Sequence, residues 1–248
     1  MRVPSLILAC LLLCPAQPRQ ADSPPSPGGE SFQYRVEWRL IHAGDARFTW
    51  QDTGNGYQAR VQVHSVGLVS MLYRVDDLYV ADLDPNICAL SATLTAREGL
   101  RYREARTTFD AERRKASYLE RDLKKNVDIA TREVDIPPCV HEIIGALYVL
   151  RGMRVPVGKS VEIPISDGKK SVVARIEAQQ EENVQTPAGR FKAIRYECYL
   201  FNDVLYHRSG RLHVWLTDDE RRTPVQIRFR LQFPVGTITL ELIKVEAT

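Results

Sequence analysis

The sequence has no apolar segment long enough to cross a bilayer. Its longest apolar run, residues 6–13, has eight residues, whereas a membrane-spanning helix needs about 20. The run follows Arg2 and precedes the small or helix-breaking residues Cys14, Pro15 and Ala16, an order typical of a secretory signal peptide. The sequence therefore predicts no transmembrane segment, and it predicts export with a signal peptide over residues 1–16.

A lipid-modified cysteine is the alternative to simple cleavage. Cys14 is preceded by Leu13, a bulky residue where lipoprotein signals usually have a small one, so we favour cleavage and release into the periplasm or the medium. Residues 17–31 are rich in proline, serine and glycine, a composition typical of a flexible tether. We expect a single folded domain over residues 32–248.

Cysteine is scarce. Once the signal peptide is removed, only Cys88, Cys139 and Cys198 remain, too few for a disulfide framework. An oxidising compartment would allow one disulfide and one free thiol, and the spacing does not say which pair forms. Cys198 lies on the apolar face of a predicted strand, where a thiol packs as a small hydrophobic group.

Strong charge and local catalytic motifs are also missing. The chain has 34 basic and 31 acidic residues, which gives no general reason to expect nucleic acid as a partner. It has no Gly-x-Ser-x-Gly elbow, phosphate-binding glycine loop or dinucleotide fingerprint. His141 and Glu142 begin the string HEIIG, which lacks the second histidine of a zinc-protease motif. We therefore predict no enzyme, no metal and no cofactor.

Basic residues are concentrated in one part of the chain, although acidic residues are mixed among them. We interpret them as a solvated strand face, and the alternative is a patch for anionic lipid headgroups or an acidic envelope polymer. The residues are Arg97, Arg101, Arg103, Arg106, Arg113, Arg114, Lys115, Arg121, Lys124 and Lys125.

The main pattern in the rest of the sequence is an alternation of apolar and polar residues with a period of two. Phe32, Tyr34, Val36 and Trp38 alternate with polar residues, which predicts a strand with one buried face. Similar runs recur to residue 245. About a dozen such strands favour a mainly β fold, an antiparallel barrel-like structure or a curved sandwich.

Two segments depart from this pattern. Apolar residues recur at a spacing of three and four after Pro137 and Pro138, which predicts one amphipathic helix over about 138–151. Val66–Tyr73 is compatible with a second, shorter helix or with a strand.

Three tryptophans are the candidate ligand-binding residues. Trp38 and Trp50 lie on the inward faces of their predicted strands. Trp215 lies on the polar face of its strand, so it needs a cover, which the helix, an arginine such as Arg228 or a ligand would supply. The simpler explanation for each tryptophan is that its side chain packs in the protein core and binds no ligand.

Three motifs in the C-terminal half carry a family resemblance. They are GALYVLR at 145–151, GRFKAIR at 189–195 and GRLHVWLTDDERRTPVQI at 210–227. Together they resemble the bacterial exported proteins of domain-of-unknown-function family 3108, although Gly145 replaces a usual serine and Val149 a common aromatic residue. The resemblance implies an envelope or secreted location and a β-rich, barrel-like fold, and it implies no activity or catalytic residues.

Three functional hypotheses follow. The first is a non-enzymatic binding protein in which the curved sheet and the helix hold an apolar or lipid-like ligand. The second is a structural module that contacts an envelope protein through an exposed strand edge. The third is a hydrolase assembled from distant residues, for which Asp218, Asp219, His207 and His213 are the candidates.

Overall fold

The computed structural model describes residues 29–247, so the predicted signal peptide and almost all of the predicted tether lie outside it. The described residues form fourteen strands and two helices. The elements are β1 (Glu30–Trp38), β2 (Ile41–Asp52), β3 (Tyr57–Ser65), α1 (Gly67–Leu72), β4 (Val75–Leu83), β5 (Ala89–Glu98), β6 (Arg101–Asp110), β7 (Lys115–Asp122), β8 (Val127–Asp135), α2 (Ile143–Gly152), β9 (Ser160–Ser166), β10 (Ser171–Thr186), β11 (Gly189–Cys198), β12 (Gly210–Thr217), β13 (Pro224–Leu231) and β14 (Thr237–Ala247).

All the strands belong to one antiparallel sheet, which confirms the predicted mainly β class. Their order is β8-β7-β6-β5-β4-β3-β2-β1-β14-β13-β12-β11-β10-β9, so consecutive strands pair with each other except β8 and β9. The first and last strands meet in the middle of the sheet, where Glu30 pairs with Ala247. The sheet is open, and β8 and β9 are its two edges.

The alternation predicts every strand except β4. Asp76, Asp77 and Asp82 make this segment resemble a turn or a carboxylate cluster, but the structure places them along a strand. Asp82 accepts hydrogen bonds from Gln58 Nε2 and Ser91 Oγ on the two neighbouring strands, both at 2.9 Å. Cross-strand hydrogen bonds therefore accommodate residues that are otherwise uncommon in strands.

The first strand begins earlier than the tether prediction allows. Glu30 and Ser31, the last two residues assigned to the tether, belong to β1 and are buried. The reason is that Glu30 forms an ion pair with the buried Arg151 of α2. Composition alone cannot reveal a contact between residues so far apart in the chain.

Helix α2 also begins later than predicted, at Ile143 and not near Pro138. Glu142 is its N-cap, and its carboxylate accepts hydrogen bonds from the backbone N–H groups of Ile144 and Gly145. The residues before it are held outside the helix, because the His141 backbone bonds to Pro164 and Ser166 of β9. The shorter segment Val66–Tyr73 contains a helix, α1.

Helix α2 lies at one end of the sheet, which we call the α2 end. Its Tyr148 ring stacks on Trp50 near the end of β2, with centroids 3.6 Å apart, and Gly145 lies against Leu83 at the end of β4. A disulfide between Cys88 and Cys139 joins the β4–β5 turn to the residues before α2. The opposite end, where α1 follows β3, we call the α1 end. No helix within residues 29–247 is long and apolar enough to cross a membrane.

Candidate functional site

An apolar cavity of about 410 Å³ lies between α2 and the α1 end. Its walls come from β1–β3 on one side and from β9–β14 on the other, so the sheet curves around it. Apart from His64, Ser65, Gly44 and Cys198, every lining residue has an aliphatic or aromatic side chain. The cavity can therefore hold hydrocarbon, but it offers few partners to a polar solute.

Helix α2 forms the floor of the cavity. Ile143, Leu147 and Leu150 lie at the three-and-four spacing that puts side chains on one helix face, and all three line the cavity. Tyr148 and Arg151 do not line it and are buried against other parts of the chain. The apolar stripe that predicts this helix is therefore the surface that closes the cavity at the α2 end.

The mouth of the cavity lies at the α1 end. Trp38, Ser65 and Val75 line it at the ends of β1, β3 and β4, and Val69 contributes from α1. The Ser65 hydroxyl is engaged with the backbone of Val75, from whose N–H it accepts a bond at 2.9 Å. Helix α1 thus covers part of the mouth with Val69.

The three candidate tryptophans occupy different environments. Trp38 lines the cavity, and its Nε1 donates to the Val235 carbonyl at 2.6 Å. Trp50 is part of the core and lies outside the cavity lining. Trp215 also lies outside it, is 3% exposed, and has the Arg228 guanidinium 5.0 Å from its ring centroid. The protein itself therefore covers Trp215, through one of the groups suggested by the sequence.

Cys198 is a buried, unpaired cysteine in the cavity wall. Burial raises the pKa of its thiol to about 12, so almost no reactive thiolate exists near neutral pH. The prediction that it packs as a small hydrophobic group agrees with this environment.

Cys198 is expected to resist labelling by a charged maleimide at pH 8 in the native protein and to react fully in denaturant, as measured by mass spectrometry. Ser209→Cys, at an exposed position between β11 and β12, is the positive control and should react in the native state. Native labelling of Cys198 as fast as that of the control would contradict burial of its thiol in the cavity wall.

Residues 33–243 match the family model described as "Protein of unknown function (DUF3108)". The chain belongs to the DUF3108 family. The match covers the sheet from β1 to β14, including α2 and all of the cavity walls, and it confirms the resemblance seen in the sequence. A search of curated proteins finds no match.

One solved structure supports the fold of this DUF3108 member. A β-barrel-like protein of the domain-of-unknown-function family DUF1849 from Brucella abortus is 9% identical, with a TM-score of 0.59, and the match covers 89% of this chain and 98% of that chain. A protein described as exported, with a YmcC-like fold, from Bacteroides fragilis is 9% identical with a TM-score of 0.39, over 92% and 100% of the two chains. Only the first of these two supports the barrel-like architecture.

The residues proposed for a hydrolase do not converge in this DUF3108 member. His207 precedes β12 at the α1 end, whereas Asp218 and Asp219 follow β12 at the α2 end, and the eight residues of β12 extend about 25 Å between them. His213 lies on β12 with its Nε2 3.8 Å from Glu197. Asp218 pairs with Lys192, and Asp219 accepts a bond from the Thr217 hydroxyl in a turn.

The HEIIG string has a structural role. His141 Nδ1 lies 2.7 Å from the Ile87 carbonyl, and burial lowers the pKa of this imidazole. Glu142 caps α2 and also accepts a bond from the Tyr79 hydroxyl at 2.7 Å, while burial raises the pKa of its carboxyl group. No group of three or more histidine, cysteine, aspartate or glutamate side chains within residues 29–247 could hold a metal ion.

The basic residues on β6 and β7 mostly form ion pairs. Arg103 lies 2.8 Å from Glu120, Lys115 2.9 Å from Asp135, and Arg121 2.9 Å from Asp128. These pairs favour the interpretation of a solvated strand face. By contrast, the side-chain nitrogens of Arg101, Lys124 and Lys125 at the α1 end have no carboxylate oxygen within 4 Å among the described residues. Only the backbone N–H groups of Lys124 and Lys125 donate to a carboxylate, that of Asp122.

Proposed function

We propose that this protein is a non-enzymatic binding protein that holds an apolar or lipid-like molecule in the cavity between α2 and the α1 end. The observation that carries the proposal is the cavity itself, about 410 Å³ in volume and lined almost entirely by hydrocarbon side chains. Ligand pockets typically span about 300–1,000 Å³. Each methylene group that moves from water into such a lining contributes about 0.8 kcal/mol.

The cavity is suited to a ligand with one apolar end and one polar end. Its floor is formed by Leu147 and Leu150, whereas His64 and Ser65 are near the mouth. Asp45 lies 3.5 Å from His64 Nε2, which adds a carboxylate at that end. An acyl chain would enter with its tail toward α2 and leave its polar group at the mouth.

An exported location is part of this proposal. The predicted signal peptide supports it, and so does the Cys88–Cys139 disulfide, because disulfides persist in the periplasm and outside the cell. The lipid-anchored form at Cys14 remains the alternative for the N-terminus.

The interaction-module hypothesis is weaker because both sheet edges are protected against strand addition. Edge strand β8 has the charged residues Asp128, Arg132 and Glu133, and charge on an edge opposes pairing with another chain. Edge strand β9 contains Pro164 and is covered by His141, whose backbone accepts a bond from Ser166 at 3.0 Å.

Filling the cavity is expected to abolish most ligand binding. Val63 of β3 lines the cavity, so Val63→Trp should exclude part of any bound chain. Loss of two buried methylene groups corresponds to about tenfold weaker binding. The measurement is the fluorescence of a dansyl-labelled fatty acid, together with native mass spectrometry and organic extraction of the protein purified from the exported fraction.

Gln62→Trp is the matched control, because Gln62 is the adjacent residue on the opposite, exposed face of β3. It should bind the probe as the wild type does. An empty wild-type protein that also fails to bind the probe would overturn the proposal, as would equal effects of the two tryptophans.

A further inference from the structure

Six large apolar side chains at the α1 end are almost fully exposed. They are between 74% and 92% exposed, far more than an ordinary surface residue of this type. Three lie on one face of α1, and the other three are on the turns β1–β2, β5–β6 and β13–β14. We call them the apolar rim: Leu40, Leu68, Met71, Leu72, Leu100 and Phe233.

The elements that carry the apolar rim contact one another around the cavity mouth. The β1–β2 turn contacts the β13–β14 turn, because Arg39 donates to the Thr237 carbonyl at 3.1 Å. The start of α1 is joined to β2 by a bond from Val66 N–H to the Ala43 carbonyl, and its end is joined to the β5–β6 turn by a bond from Gly99 N–H to the Arg74 carbonyl. The six side chains therefore protrude from the same end of the sheet, around the cavity mouth.

Helix α1 has two different apolar faces. Val69 lines the cavity, while Leu68, Met71 and Leu72 point away from it at the spacing of one helix face. None of the residues of α1 is buried. An exposed apolar helix face next to the mouth of an apolar cavity is unusual in a soluble domain and indicates an interaction surface.

The charge around the apolar rim is positive. The β9–β10 turn is not part of this surface, because the adjacent Ser166 bonds to His141 before α2 and Lys169 lies over the Tyr118 ring. The other connections between elements at the α1 end contain five basic residues and one acidic residue, Asp203. The connections at the α2 end contain six of each sign. The basic residues in these connections at the α1 end are Arg39, Arg74, Lys124, Lys125 and Arg208.

We propose that the apolar rim and its surrounding basic residues dock this protein onto the surface of an anionic lipid bilayer. Apolar side chains that protrude singly from turns and from a short helix can enter the boundary between headgroups and acyl chains. Lysine and arginine beside them attract anionic headgroups, with about 1 kcal/mol from each residue near the surface.

Docking through the apolar rim would place the cavity mouth against the lipid. The idea that docking lets a ligand pass between the bilayer and the cavity rests on the proposed function, because a bilayer is a source or a destination for a lipid-like ligand. Docking itself is a separate property, which a protein with a blocked cavity would retain.

The test is flotation of the purified protein with vesicles of equal parts phosphatidylcholine and phosphatidylglycerol, and with vesicles of phosphatidylcholine alone. The wild type should float with the anionic vesicles and much less with the neutral ones. Lys124→Glu with Lys125→Glu should weaken binding by about tenfold or more. Met71→Ser with Leu72→Ser should also weaken it, since it removes apolar contact with the bilayer.

Matched controls exist at the α2 end. Arg113→Glu with Arg114→Glu changes an adjacent basic pair on the β6–β7 turn, at the other end of β7 from Lys124 and Lys125. Leu90→Ser with Val157→Ser removes two exposed apolar residues away from the apolar rim. Both control variants should float as the wild type does, and circular dichroism should show all variants folded.

Three results would overturn the inference. One is absence of binding to anionic vesicles, and another is equal loss in the α1-end and α2-end variants. The third is a dimer in analytical ultracentrifugation without lipid that Met71→Ser with Leu72→Ser dissociates, which would assign the surface to a second copy of the chain. Val63→Trp, which blocks the cavity, should keep vesicle binding, so failure of ligand binding and failure of docking are distinguishable.

Discussion

Replacing Arg151 by methionine is expected to lower the free energy of unfolding by about 3–5 kcal/mol. The Arg151 side chain is fully buried and forms an ion pair with Glu30. Its Nε donates to the Arg222 carbonyl at 3.0 Å and its Nη2 to the Arg221 carbonyl at 3.1 Å. Methionine fills similar space, but it leaves a buried carboxylate and two carbonyl groups without donors.

This loss is measured by chemical denaturation, as a fall in the denaturant concentration at the unfolding midpoint relative to the wild type. The double variant Arg151→Met with Glu30→Leu should recover part of the stability, because it removes both charges and not only one. Arg151→Lys should lie between the wild type and Arg151→Met, since an ammonium group cannot reproduce the four donor contacts of the guanidinium. A loss below about 1 kcal/mol for Arg151→Met would show that the pair is dispensable.

The position of this pair explains why it matters for the cavity. Arg151 lies in the last turn of α2, and its partners lie on β1 and in the β12–β13 turn. The rings of Phe32 and Tyr148 lie 5.0 and 4.7 Å from the guanidinium carbon. The contacts hold the C-terminal part of α2 against the sheet and therefore keep the floor of the cavity in place.

Much of the fold could be predicted from period-two alternation because one face of each strand is buried. The prediction fails where a residue's environment is set by a distant partner. Asp82 bonds across to β3 and β5, so β4 was hidden by residues typical of turns. Glu30 follows a run of proline and glycine, and only its contact with Arg151 shows that it belongs to β1.

The cavity was less predictable than the strands. Alternation identifies inward faces, but it does not say whether inward side chains fill the interior or leave space. Trp38 and Trp50 have the same pattern in the sequence, yet only Trp38 lines the cavity, because Tyr148 of α2 stacks on Trp50. That distinction depends on where α2 packs, which the pattern of a single helix does not contain.

Removing the disulfide with Cys88→Ser and Cys139→Ser is expected to lower the free energy of unfolding by about 4 kcal/mol. The two cysteines are 51 residues apart, and closing a loop of that length restricts the unfolded chain by about this amount in the chain-entropy model. The measurement is chemical denaturation of the purified protein with and without a reducing agent. A reductant should destabilise the wild type by a similar amount and leave the double variant unchanged.

The double variant Cys88→Ser with Cys139→Ser should also bind ligand more weakly than a variant that is equally destabilised by a substitution away from α2. The disulfide fixes Cys139 to the β4–β5 turn, and from there the chain passes to Glu142, the N-cap of α2. Without this link the N-terminal end of the cavity floor has only noncovalent contacts, among them the cap, the His141 bonds and the bond from the Tyr79 hydroxyl to Glu142. Dansyl fatty acid binding should therefore fall in the double variant under conditions where circular dichroism shows it folded. Cys198→Ala, which leaves the disulfide intact, is the control for loss of a cysteine. Equal ligand binding by the double variant and the wild type would show that α2 keeps its position without the disulfide.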